Sequence, residues 1–328
     1  MSAIELLEDA VASAFARAGD EQTAWALVEE GGYAHAAVLA GLPEAAAVVR
    51  TAAAFDLPMP IAETALIAAV VLSDAGLEVP DGRLTITGSE ALRLEPDGGD
   101  WRLSGSAPRV PWGRSADYVI VLAGDHVACV PGGGATVDKG ENLAGEPRDG
   151  LRFDSVLVPA AAVEVSRLGP AGLLLLGALA RAVAIVGVLE RVLELTVQYA
   201  TEREQFGRPI GHFQAVQQEI AKQAAEVAAA RAIVDTAVER PTPFLVGCAK
   251  VRAGEAAGVV ARIAHQVHGA IGFTDEHVLH RFTTRLWAWR DEFGTEEEWA
   301  ERVGQLAAEA DELWPYLVEA LEAEDTVG

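Results

Sequence analysis

The chain has 328 residues, enough for one large domain or two to three small ones at roughly 100–200 residues each. Its 25 Lys and Arg stand against 49 Asp and Glu, and the resulting net charge of −24 argues against a nucleic-acid partner, because polyphosphate binding needs surplus cations to displace counterions. Hydrophobic residues make up 51% and charged residues 23%, which excludes a disordered chain, and the excess of Ala, Leu and Val over aromatics favours packed helices.

The start, MSAIELLEDAV, carries acids where a secretory signal carries basic residues. The most apolar stretch, Leu173 to Leu189, is interrupted by Arg181, whereas a spanning helix wants about 20 residues with few or no charges. A cytoplasmic protein without a membrane partner is expected. Cys129 and Cys248 lie far apart with no C-x-x-C spacing, so they read as small core residues and not as a metal or redox pair.

In chain order, Ile4, Leu7, Val11, Ala14 and Phe15 repeat at helical spacing, and a second such pattern runs from Glu44 to Phe55. Leu57-Pro58-Met59-Pro60 ends it, and Ala62 to Ala75 gives a further apolar helix closed by Gly76. From about Arg83 the period changes. Leu84 to Thr87, Ala91 to Leu94, Trp101 to Ser104, Tyr118 to Leu122, His126 to Val130 and Leu151 to Val158 are short, rich in strand formers and separated by Gly, Pro and Asp. Pro131-Gly132-Gly133-Gly134 follows a strand without opening a helix and reads as a hairpin turn, not a phosphate loop. From Pro159 the helical period returns over Leu173 to Ala200, Phe213 to Glu239 and about Phe244 to His268, the last closed by Gly269-Ala270-Ile271-Gly272.

The layout is α+β and mostly α: an N-terminal helical domain over residues 1–82, a middle β domain over 83–160 and a C-terminal helical bundle over 161–328. No P-loop and no Gly-x-Ser-x-Gly elbow is present. His265, His268, His277 and His280 form two i, i+3 pairs, but no carboxylate stands at a matching offset, so polar packing is expected in place of a metal. The segment from Tyr199 to Gln217 places one helix end near Gly207, a turn bearing Arg203 and an aromatic, and a new helix from about His212. An arginine beside a helix start suits an anion, and a salt-bridged connection suits the same residues.

Arg203-Glu204-Gln205-Phe206-Gly207-Arg208-Pro209-Ile210-Gly211-His212-Phe213-Gln214-Ala215-Val216-Gln217 resembles the R-x-Q-F-G-x-P-I-x-x-F-Q-A-V-Q connection of the acyl-CoA dehydrogenase family. Gln266 to Glu276 is similar to that family's Q-x-x-G-G-x-G-[FY]-x-x-E stretch, and Leu151 to Pro159 to the strand leaving its β domain. The resemblance implies N-terminal helices, a small β-barrel or sheet domain and a C-terminal four-helix bundle. It implies FAD held between two subunits, and a carboxylate that removes the α-proton of an acyl-CoA thioester while the β-hydride goes to the flavin. It places Arg203, Gln205, Phe206, Phe213, Gln266, Gly269, Ala270 and Gly272 at the adenosine-diphosphate end of a flavin bound mainly by the neighbouring subunit, with Ala270 where the family has glycine.

The departures matter more. The family's E-G-T base aligns with Phe293-Gly294-Thr295, and the alternative base position, about twenty-six residues before Arg203, is Gly177. Neither residue accepts a proton. Glu292 and Asp291 beside Phe293 are candidate surrogates, although a one-residue slip on a turn points the side chain elsewhere and an acid-rich run normally reads as a solvated face. The flavin-ring motifs are eroded too: Leu94-Glu95-Pro96-Asp97-Gly98-Gly99-Asp100 stands for T-E-P-x-A-G-S-D and Arg109-Val110-Pro111 for W-[IV]-[TS]. This pattern, with a shortened N-terminal segment, resembles the short degenerate subunit of actinobacterial α2β2 acyl-CoA dehydrogenases that desaturate steroid side-chain CoA thioesters. It implies a second, longer family chain as partner. A non-catalytic scaffold subunit and a self-sufficient dehydrogenase using Glu292 are the alternatives.

Overall fold

The computed structural model describes residues 2–310 together with 312, 314–316 and 318. The chain forms two compact units, residues 1–180 and 181–328.

The first unit opens with helices α1 (Ala3–Arg17), α2 (Glu21–Glu30), α3 (Ala36–Leu39) and α4 (Leu42–Ala53). α1 starts in a capping box between Ser2 and Glu5 and buries Val11, Ala14 and Phe15 on one face. The apolar run after Pro60 is a π-helix over Glu63–Ala68 that continues as α5 (Ala69–Asp74). Thr64 in the π turn is buried and bonds both ways with the next element: its hydroxyl oxygen lies 3.0 Å from both the carbonyl and the amide nitrogen of Leu84.

Eight strands follow: β1 (Leu84–Gly88), β2 (Arg93–Asp97), β3 (Asp100–Pro111), β4 (Tyr118–Ala123), β5 (His126–Pro131), β6 (Thr136–Asp138), β7 (Arg148–Val158) and β8 (Val163–Val165). They form two four-stranded sheets, ordered β1-β4-β5-β8 and β2-β3-β7-β6. Leu103, Val110, Leu151 and Phe153 of the second sheet pack in one core with Val119, Val121, Ala128 and Val130 of the first. The pairing of β3 with β7 slips twice, and Ser155 and Arg109, at φ 54° and 55°, lie at the two bulges.

Pro131-Gly132-Gly133-Gly134 is not a hairpin turn. It forms a 3₁₀ turn that carries the chain from β5 in one sheet to β6 in the other. A side chain at Gly132 would lie 2.0 Å from the Ala116 carbonyl oxygen, so this close crossing requires glycine.

α6 (Gly169–Glu202) leads into the second unit. It is long and apolar enough to cross a membrane, yet 83% of its most apolar window is buried within the protein. A short hairpin of β9 (Glu204–Gln205) and β10 (Arg208–Pro209) follows, then α7 (Gln214–Glu239), α8 (Pro243–His268), α9 (Leu279–Trp289) and α10 (Glu296–Glu309). Buried Gln223 of α7 donates to Thr196 Oγ1 of α6 at 3.3 Å and to the Val260 carbonyl of α8 at 3.4 Å, a polar cross-link within an otherwise apolar packing.

Candidate functional site

α6 ends at Glu202, five residues earlier than the spacing suggests, because Arg203 to Pro209 turns into the β9–β10 hairpin. Phe206 and Gly207 are its two central residues, at φ 52° and 80°, the signs a type I′ turn demands. Glycine adopts that geometry freely, but phenylalanine does so at a cost of about 1–2 kcal/mol. The ring gains little burial in return: Phe206 is 91% exposed, and among the described residues its ring meets the edge of the half-buried Phe213 at 6.1 Å. Arg208 covers the face of Phe213 at 4.4 Å, and Arg203 and Gln205 are exposed beside them.

The second motif lies where α8 ends. Gly269 has φ 66°, and a side chain there would meet no atom within 4 Å; Gln266, Gly269 and Ala270 are exposed, while Gly272 is buried. Gly269–Phe273 forms a 3₁₀ turn folded back on the last turn of α8, so close that a Cβ on Gly272 would lie 3.0 Å from His268 Cβ. The two motifs are joined by one stack: Tyr199, one turn before Arg203, lies on His268 with ring centroids 4.4 Å apart. All eight residues singled out for the cofactor thus belong to the second unit.

The turn between α9 and α10 holds the position where a carboxylate base is expected. Phe293 sits there at φ 55°, and Gly294 follows at φ 94° because a side chain on it would come 2.6 Å from Trp299 Nε1. Three contacts fix this turn. Trp299 Nε1 donates to the Phe293 carbonyl at 2.8 Å, Thr295 caps α10 in a box with Glu298, and Lys250 Nζ donates to the carbonyls of Arg290 and of Gly294, the latter at 2.8 Å. Lys250 is fully buried, and burial pushes its ammonium down to about 8.

Glu292 is not poised as a free base. Arg181 Nε donates to its Oε2 at 2.6 Å, with the two side chains only 3% and 11% exposed. The same guanidinium lies 5.6 Å from the Phe293 ring centre and 5.9 Å from that of Trp289. Gly177 is buried in α6, four residues before Arg181. In the sequence Arg181 stands out only as an interruption of an apolar run, and Lys250 not at all; a charged residue inside an apolar helical run is the available signal for both.

In the β domain, Leu94 to Asp100 forms β2, a Gly98-Gly99 turn and the start of β3, a plain hairpin. Arg109-Val110-Pro111 lies on β3 at the second bulge, and Pro111 accepts from the Thr85 hydroxyl. Among the described residues no group of three or more His, Cys, Asp or Glu is arranged to hold a metal. The four histidines make ring stacks and backbone hydrogen bonds instead.

Helices, two packed sheets and a second set of long helices, in that order, define an acyl-CoA dehydrogenase fold. Residues 171–307 match the family described as "Acyl-CoA dehydrogenase, C-terminal domain". It is 45% identical over 100 residues to "Acyl-CoA dehydrogenase IpdE2" of Mycobacterium tuberculosis, a stretch covering 30% of this chain and 31% of that protein. The chain thus spans about a third of the length of that curated relative. Among solved structures it is similar to the ChsE4–ChsE5 complex from Mycobacterium tuberculosis, with TM-score 0.83, 25% identity and coverage of 95% of this chain and 99% of the other. The Tcur3481–Tcur3483 steroid ACAD is also similar, with TM-score 0.80, 25% identity and coverage of 93% and 98%.

The cofactor that goes with this family is flavin adenine dinucleotide. In the second unit an exposed aromatic held in a costly backbone conformation, exposed Arg203 and Gln266, and open space over Gly269 form a surface that the described side chains leave uncovered, of a chemistry that suits a planar, anionic group.

Proposed function

We propose that this chain is one subunit of a heteromeric FAD-dependent acyl-CoA dehydrogenase, lending adenosine-diphosphate contacts to a flavin whose ring and catalytic base belong to a second, longer family chain. The observation that carries this reading is the turn at Phe293, where an aromatic ring replaces the carboxylate and the adjacent Glu292 is bonded to Arg181. Bound FAD supplies the hydride acceptor for α,β-desaturation of the thioester. Arg203 would meet the pyrophosphate through its guanidinium, Phe206 and Phe213 the adenine end through their faces, and Gln266, Gly269, Ala270 and Gly272 the phosphates through amide and backbone N–H groups.

The likeness to a two-chain complex and to a steroid ACAD supports a heteromer acting on a steroid side-chain acyl-CoA thioester. Free Cys129 and Cys248 accord with a cytoplasmic setting. The test is purification of the chain alone and after co-expression with a longer family member that carries an intact base. The expected result is a colourless chain alone and a yellow, active complex with a single flavin per pair of unlike chains. Arg203→Ala in that complex should lose flavin; a complex that keeps full colour and activity points to a scaffold, and a yellow active homo-oligomer overturns the reading.

A further inference from the structure

The α8 end holds a cluster of imidazoles that the proposed chemistry does not use. His268 Nδ1 lies 2.8 Å from the Ala264 carbonyl, so it carries the proton, and its Nε2 is buried without a partner among the described residues. Thr283 spends its one proton on the His280 carbonyl, so His265 Nε2, 2.9 Å from Thr283 Oγ1, is the donor, and His265 Nδ1 is likewise buried and unpartnered. His277 Nδ1 accepts from the Leu279 amide at 3.1 Å at the start of α9. Two rings, His265 and His268, therefore each hold a buried nitrogen lone pair, the His277 lone pair is taken by the Leu279 amide, and a proton added to His265 or His268 finds no acceptor among the described residues.

The rings also touch one another and the turn they hold. His268 and His277 are 4.7 Å apart between centroids, and His265 stacks on Phe273 at 4.0 Å. From α6 the cluster is faced by Tyr199, from α8 by His265 and His268, from the turn by His277, and from α9 by His280. His280 has a carbonyl, that of His277, on Nδ1 and the fully exposed Asp275 at 3.3 Å from Nε2. Added charge on the cluster would thus face like charge, with no buried carboxylate among these groups.

We propose that the segment from Gly269 to His280 is an acid-sensitive latch, held to the end of α8 by neutral His265, His268 and His277 and released when they take up protons. Burial independently lowers all three from the usual 6.5, His268 to about 4, with each other's charge and that of His280 adding to the effect. The closed form excludes protons that the open form takes up, so opening is favoured progressively as pH falls from about 6.5 toward 4. Because the latch carries Gly269 to Gly272, its release would also expel the flavin contact, a consequence that rests on the reading above.

The test is hydrogen–deuterium exchange of the full chain in its complex between pH 7.5 and 4.5, corrected for intrinsic rates, together with NMR titration of ¹³C-labelled histidines. Opening of the 269–280 segment should rise about seventyfold from His268 alone, while α7 stays protected. His268→Gln with His277→Asn should flatten that dependence. Histidines titrating near 6.5 with unchanged exchange would overturn the latch in the wild-type protein, whatever the variant does. An opening latch with flavin retained would leave the latch standing and count against the cofactor half-site.

Discussion

Arg181 and Glu292, 111 residues apart in sequence, form one nearly buried ion pair, Nε to Oε2 at 2.6 Å. Removing one partner of such a pair leaves an uncompensated charge, which typically costs about 3–5 kcal/mol. Arg181→Met should lower the stability of the complex by about that amount in urea unfolding, and adding Glu292→Gln should restore part of it. Glu292→Gln alone should leave turnover per folded complex unchanged; a large loss of turnover would instead make Glu292 a base.

Lys250 braces the same turn. Lys250→Met removes the donor to the Arg290 and Gly294 carbonyls, and each carbonyl left buried costs about 1–3 kcal/mol. The sign of the pH effect follows from burial, which pushes the ammonium from 10.5 down to about 8. Between those values the unfolded chain holds the proton more firmly than the folded one, so stability from this group rises with pH. The stability gap between wild type and Lys250→Met should widen from about pH 8 to 10.5, measured by denaturant midpoints.

Phe206→Gly separates folding from cofactor binding. Glycine relieves about 1–2 kcal/mol of left-handed strain and gives up little burial, so the melting temperature should hold or rise. Flavin occupancy of the complex should fall nonetheless. Unchanged occupancy would remove Phe206 from the half-site.

In the β domain, Asp149 is fully buried and accepts from the Arg114 guanidinium at 2.7 Å and from the Gly140 and Arg114 amides. Burial pushes its carboxyl up, but these hydrogen bonds together outweigh it and hold the group below 3.8. Its stabilisation is therefore complete above about pH 4 and lost as pH falls below 3.8. Asp149→Asn should destabilise the first unit by about 3–5 kcal/mol at neutral pH, and the gap to wild type should narrow in strong acid.

The order of elements was legible because apolar periodicity changes from helical to alternating near Arg83 and back after Pro159, where packing demands both patterns. Local composition could not reveal the sheet crossing at Gly132 to Gly134, since hairpin and crossover use the same glycines and differ only in which strand receives the chain. Nor could it separate the hairpin at Phe206-Gly207 from one more helical turn. The bonds of Lys250 and Arg181 join positions 44 and 111 residues apart, beyond any local pattern. The motif residues of the second unit were readable only through their likeness to a family, because exposed Arg203 and Phe206 carry no periodic signal of their own.

The wide turn at Glu63 to Ala68 amounts to a surplus residue lodged in a helical frame. Excising a single alanine there would let the backbone regularise to α geometry, and the turns on either side would keep their register, because the bulge alone holds the extra residue. Thr64 lies inside the widened turn, so the contact at stake in a regularised backbone is its pair of bonds to Leu84, the mooring of the parallel edge of the first sheet.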